Sequence, residues 1–158
     1  MTATAVAGDE LELGCMLIPL AHGQLLLPSV CVAEILAWRR VRPSEQGPAW
    51  CAGLLEWRGV VLPVIRLEAL EEAPQEAHGR LHPASRSLAV MNRTASGGPE
   101  FYALAAEAMP RLVQVTARDL DGGEAADRAG LSRTVRVGTE SAWIPDLRHL
   151  EQRAAELG

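Results

Sequence analysis

Cys51-Ala52-Gly53-Leu54-Leu55-Glu56-Trp57-Arg58-Gly59-Val60-Val61-Leu62-Pro63-Val64-Ile65 is the stretch that decides the fold class. Two apolar runs, Cys51 to Trp57 and Val60 to Ile65, flank a lone Arg58-Gly59 pair. Apolar runs this short, the second rich in β-branched valine, read as strands, and a two-residue break containing Gly reads as a tight hairpin. Gly59 supplies the positive φ that such a turn needs. Few polar residues interrupt either run, so the hairpin is expected to be buried on much of both faces. Leu67 and Leu70 close the unit.

Toward the N-terminus, Pro48-Ala49-Trp50 reads as a short helical turn, because proline suits a first helical position. Arg39 to Gly47 is a polar loop. Before it, Val30, Val32, Ile35 and Leu36 make another apolar stretch with Glu34 inserted, and Val30 and Leu36 are expected in the core. Cys15 to Leu20 and Gln24 to Leu27 form a hairpin about His22-Gly23, ended by Pro28, which cannot donate to a ladder. Residues 1–14 read as a flexible tail, and residues 15–158 as one domain.

Toward the C-terminus, Glu71 to Ser87 has no periodicity and reads as a surface loop or linker. Strands follow at Ser87 to Asn92, Glu100 to Ala105 and Arg111 to Thr116, then a polar loop from Asp119 to Gly130. Thr134 to Val137 and Ala142 to Ile144 make a last hairpin. Asp146 then caps a helix whose apolar face carries Leu147, Leu150, Ala154 and Leu157. The chain is thus mostly β with a short C-terminal α-helix. Short strands and turns predict small barrels or a sandwich, with no room for the crossovers of a parallel sheet. An internal echo favours two barrels: Gly59 precedes Leu67 by eight residues and Leu70 follows, while Thr139 precedes Leu147 by eight and Leu150 follows. Two half-size barrels gain stability by sharing an interface.

Composition narrows the function. The chain has 158 residues, 48% of them hydrophobic, and a net charge of −5. All 15 basic residues are Arg. There is no basic excess of the kind nucleic-acid binding requires, and Arg39, Arg40 and Arg42 beside Trp38 read as a solvated loop. Cys15, Cys31 and Cys51 fit no metal spacing and read as small buried hydrophobes of a reducing compartment. No signal peptide is visible, and no apolar run approaches the roughly 18 residues that span a bilayer. A cytoplasmic location without membrane insertion is therefore expected.

No catalytic constellation emerges. His78 and His82 have i, i+4 spacing, but Gly79 and Pro83 argue against a helix there, so no metal site is expected. Gly97-Gly98 and Gly122-Gly123 lack the surroundings of a phosphate loop. Asp119 and Asp121 lie in too polar a loop to form a tuned acid–base pair. Cys51 has no marked His partner. The expectation is no enzyme and no cofactor.

Three ordered elements resemble the CheW-like family of bacterial chemosensory coupling proteins. Leu25-Leu26-Leu27-Pro28 followed by Val32-Ala33-Glu34-Ile35 is similar to the family's leucine-Pro and Val-x-Glu-Ile strand pair. Pro48-Ala49-Trp50-Cys51-Ala52-Gly53 is similar to its Pro-x-aromatic-x-x-Gly turn, and Trp57 to Ile65 to its Arg-Gly hairpin. A looser likeness runs through Phe101 to Met109 and Thr134 to Leu150. The resemblance implies two intertwined five-stranded SH3-like barrels and no catalysis. It implies binding to the regulatory domain of a histidine kinase and to the cytoplasmic tip of a methyl-accepting chemoreceptor. Where the family commonly has Asp this chain has Arg66 and Glu107, and Trp57 replaces a leucine-like residue. Glu56-Trp57-Arg58-Gly59 resembles the branch attached to type IV pilus or twitching systems, the ChpC or PilI kind. A diverged scaffold that assembles another apparatus without controlling a kinase is the alternative.

The candidate partner-binding residues are Val32, Glu34, Ile35, Trp57, Arg58 and Gly59. Arg58 on a tight turn offers a fixed fork to a carboxylate or carbonyl, or serves as an internal tie. Glu34 is either the solvent side of an alternating strand or part of a docking surface with Val32 and Ile35. Trp50 and Trp57 suit the core, and aromatics are also enriched where partners bind most tightly.

Overall fold

The computed structural model describes residues 12–21, 23–39, 41–43, 47–70, 86–94, 99–120, 123–126 and 130–157. His22, Arg40, His78, Gly79, His82, Pro83, the Gly97-Gly98 pair, Asp121 and Gly122 lie outside these, as does most of the expected N-terminal tail and of the Glu71 to Ser87 loop. In chain order the elements are β1 (Glu12–Leu20), β2 (Gly23–Pro28), a 3-10 turn (Ser29–Cys31), β3 (Val32–Ala37), β4 (Cys51–Trp57) and β5 (Val60–Ile65). A second 3-10 turn (Leu67–Leu70) precedes β6 (Ser87–Asn92), β7 (Phe101–Ala106), β8 (Arg111–Thr116) and the one-turn helix α1 (Ala117–Leu120). Then come β9 (Glu124–Ala125), β10 (Leu131–Val137), β11 (Glu140–Pro145) and α2 (Leu147–Glu156).

The strands form two sheets. One has the order β3-β6-β7-β5-β4, the other β8-β1-β2-β11-β10-β9. The second has a sixth strand because the two-residue β9 adds to its edge. The orders match strand for strand: each sheet has an antiparallel hairpin at its heart (β6-β7, β1-β2), joined in parallel to one arm of a second hairpin (β5, β11). In sequence, β1 to β5 and β6 to β11 are two copies of one plan, and each copy gives its first hairpin to the other's sheet. That exchange is the intertwining.

The edges of each sheet belong to one run of chain. Beyond β3, Arg42 pairs with Leu54 of β4: its N–H donates to the Leu54 carbonyl at 2.8 Å and the Leu54 N–H returns to Arg42 O at 2.9 Å. A Cβ on Gly53 would lie 2.0 Å from the Arg42 carbonyl oxygen, so only glycine admits this approach. In the other sheet α1 and β9 carry the chain from β8 to β10. The two edges of each sheet are thus linked along one run of chain.

Side-chain alternation divides the core in three. Leu36, Leu55, Trp57, Leu62, Val64, Leu88 and Val90 pack within the first sheet. Cys15, Leu17, Leu26, Val115 and Val135 pack within the second. The opposite faces of the central strands, with Ile18, Leu25, Leu27, Ile65, Ala89, Met91, Tyr102 and Leu104, share one larger cluster. Central strands buried on both faces explain the unbroken apolar runs at Leu25 to Leu27 and Leu88 to Met91. Leu67, Leu150 and Ala154 also enter the shared cluster, with Leu70 and Leu147 packed against it. The echoed leucine pairs are therefore the plugs of the interface between the sheets. Asp146 caps α2, its Oδ1 accepting from His149 N–H at 3.1 Å.

Four local expectations are corrected. Glu12 to Gly14, placed in the flexible tail, begin β1 and pair with β8. Val30 is 78% exposed, because the 3-10 turn breaks the strand alternation and Cys31 takes the inward place. The β4-β5 hairpin is buried on both faces only over Leu62 to Ile65; β4 is an edge strand, so Leu54 and Glu56 face out. The polar segment from Asp119 onward includes the end of α1 and β9, too short for either periodicity to register.

Candidate docking site at the β4-β5 turn

The turn between β4 and β5 places both central residues at positive φ, 48° for Arg58 and 78° for Gly59, the pattern of a two-residue type I′ hairpin. An added Cβ at Gly59 would touch nothing, so backbone conformation alone calls for glycine there. Arg58 has no such freedom. An L side chain in this region costs about 1–2 kcal/mol. Strain of this kind, held in place by its surroundings, marks candidate functional positions.

Four of the six candidates, Glu34, Trp57, Arg58 and Gly59, come together here. Trp57 is buried and packs edge-on against Phe101, with ring centroids 4.9 Å apart and planes at 62°. Its indole Nε1–H donates to Glu34 Oε2 at 2.5 Å. Arg58 Nη2 donates to the other oxygen, Glu34 Oε1, at 3.4 Å, and its guanidinium carbon lies 5.1 Å from the centre of the Trp57 ring. The Arg58 side chain is 69% exposed and that of Glu34 33%. The Trp57 hydrogen bond holds the Glu34 carboxyl below the usual carboxylate range. Desolvation acts against it, and the Arg58 and Arg39 charges reinforce it.

Gly59 sits exposed at the tip. Val32 and Ile35 do not join Glu34's face. A bulge between Val32 and Glu34 inserts Ala33 against β6, and both side chains turn to the opposite side, half-buried against the shared cluster. Trp50 also packs on that cluster, and Leu36 is buried beneath Glu34's face.

Two features escaped the sequence reading. The second sheet carries a counterpart of this site: Arg111, at the start of β8, donates to Glu140 Oε2 beside the Gly138-Thr139 turn, and Gln24 Nε2 donates to the same oxygen at 3.3 Å. The signal was the repeat itself, extended one strand further. The other is an open groove of about 510 Å³ lined by Trp38, Val41, Arg42, Pro43, Leu54 and Glu56. Exposed Val61 stands opposite Glu56 in the hairpin register.

Reactive chemistry is muted. All three thiols are buried and unpaired, and burial pushes each above the usual thiol range. At Cys51 the Gly53 carbonyl and the Arg66 charge only partly oppose this, so it is a poor nucleophile at neutral pH. Among the described residues no group of three or more His, Cys, Asp or Glu could hold a metal ion, and no helix is long and apolar enough to cross a membrane.

Fold and site together define a twin-sheet β domain with a charged hairpin tip. Residues 14–154 match the CheW-like domain, and the chain belongs to that family. Fifteen solved chains also match. One is the crystal structure of the scaffolding protein TtCheW from Thermoanaerobacter tengcongensis, similar over 87% of this chain and 90% of that one, with a TM-score of 0.63 and 14% identity. Among curated protein sequences none matches.

Proposed function

We propose that this protein is a non-enzymatic cytoplasmic adaptor of a bacterial chemosensory system, joining the regulatory domain of a histidine kinase to the cytoplasmic tip of a chemoreceptor. The observation that carries the reading is the tip of the β4-β5 hairpin. A mostly exposed Arg58 is held in a strained backbone and aligned by Glu34 and Trp57, within a CheW-like domain. The backbone of the turn does not call for an arginine; glycine would meet its conformation better. The solved relative is itself a scaffolding protein, which supports a role exercised through shape.

In this reading the apolar groove beside Leu54 and Trp38 meets a homologous barrel of the kinase, and the seam between the sheets receives an amphipathic receptor helix. Signals pass as altered geometry, with no bond made or broken. The resemblance of Glu56-Trp57-Arg58-Gly59 to the type IV pilus or twitching branch makes that pathway a second setting for the adaptor beside flagellar chemotaxis.

Co-purification tests the reading. The protein should retain a matched kinase regulatory domain and a matched receptor fragment. Arg58→Ala should weaken at least one complex while leaving the circular dichroism spectrum unchanged. A folded protein that binds neither partner in several matched pairs would overturn the adaptor role, and loss of the fold in Arg58→Ala would make Arg58 an internal tie.

A further inference from the structure

Glu34 has two carboxylate oxygens and two claimants of unequal strength. Trp57 takes Oε2 at 2.5 Å, and Arg58 reaches Oε1 only at 3.4 Å. A charge-assisted N–H···O contact closes to about 2.7–2.9 Å when nothing competes. The Arg58 contact is therefore at its outer limit, although the two residues are ion-pair partners on a short path. The guanidinium instead lies over the indole, 5.1 Å from its centre, and that indole is clamped edge-on by Phe101. A guanidinium carries five N–H donors in a rigid plane. Among the described residues one of Arg58's is spent, weakly, on Glu34, and the side chain is 69% exposed.

We infer that Trp57 is a positioning residue: by occupying one Glu34 oxygen and carrying Arg58 on its ring, it keeps the guanidinium fork open for a carboxylate on the partner protein. This rests on the adaptor reading and names the chemistry of the contact. A leucine at 57 would have no N–H to offer and no ring to stack on. Glu34 would then present both oxygens to Arg58, and the pair would close on itself in the bidentate geometry that arginine and carboxylate favour. Trp57 thus decides whether Arg58 closes on Glu34 or keeps the long single contact that leaves its side chain exposed.

Two measurements on the full chain separate this inference from the adaptor reading. In ¹⁵N-labelled protein, hydrogen exchange at the Arg58 guanidinium should slow about five-fold in Trp57→Leu relative to wild type, as the fork closes on Glu34. Trp57→Phe, which keeps a ring but lacks the donor, should slow it too, and serves should the leucine variant fail to fold. Exchange unchanged in the folded variants overturns the inference, whether or not any partner binds. For a kinase or receptor fragment that the wild type binds, Trp57→Leu should weaken binding about ten-fold, as Arg58→Ala does, and adding Glu34→Gln should recover part of the loss. Binding unaffected by Trp57→Leu, or no recovery on adding Glu34→Gln, would show that Trp57 acts only as core packing. If wild type binds neither fragment, the adaptor reading fails and the exchange measurement alone decides.

Discussion

Arg58 sits where its backbone favours glycine, so stability and function pull apart at this residue. Arg58→Gly should raise stability by up to about 1 kcal/mol, since it removes αL strain at the cost of some chain entropy, and should weaken partner binding. A denaturant melt and a binding titration on the same sample check both signs. Glu34 supplies a pH signature. Its folded pKa lies below the unfolded value, so its contribution is fully present above the ordinary carboxylate range and is lost as pH falls through the folded pKa. The Trp57 indole N–H resonance should shift over that acidic window, and Glu34→Gln should abolish the shift. In the shared core the Tyr102 hydroxyl is buried and has no hydrogen-bond partner among the described residues. Tyr102→Phe should therefore be neutral or stabilising by about 1 kcal/mol, read from the unfolding midpoint. At this scale the sequence was informative where chemistry stood out. An acid in an apolar strand and an arginine at a turn pointed to Glu34 and Arg58. It misled where a single inserted residue changed the count. The bulge at Ala33 moved Val32 from Glu34's face to the shared core, and strict alternation has no way to register it.

The two copies of the folding plan differ where their final hairpins end. After β11, Asp146 caps a ten-residue helix; after β5, Arg66 stands in the corresponding place and a four-residue 3-10 turn follows. Arg66 also buries its Nε without a hydrogen-bond partner among the described residues. Asp146→Ala should destabilise the protein by about 1 kcal/mol through the lost cap, while Arg66→Asp should stabilise it by a similar amount. Thermal unfolding of both variants tests this. Most elements could be read directly, because turn residues punctuate short apolar runs throughout; β8 was anticipated to the residue. The one-turn α1 and two-residue β9 were not, because neither is long enough to show a period. The sense of the echoed leucines emerges only once Leu67 and Leu150 are seen meeting in one cluster.

Because each copy lends its first hairpin to the other's sheet, neither half of the chain contains a complete sheet. A polypeptide ending at Leu70 would lack β6 and β7 from the centre of one sheet, and one beginning at Arg86 would lack β1 and β2 from the other. The two pieces should be unfolded alone and should recover the native circular dichroism spectrum when mixed. A single cut between Leu70 and Arg86 should leave them associated on gel filtration. Unfolding should be one cooperative transition, with the shared cluster melting together with both sheets. This unity is what an adaptor needs, since a scaffold transmits geometry only if its two ends move as one. The most direct test is therefore ternary assembly: analytical gel filtration of the protein with a matched kinase regulatory domain and a matched receptor fragment. A single peak containing all three, lost when the adaptor is omitted and weakened by Arg58→Ala, is the predicted result. Kinase and receptor fragments that ignore the folded protein, singly and together, would contradict the account.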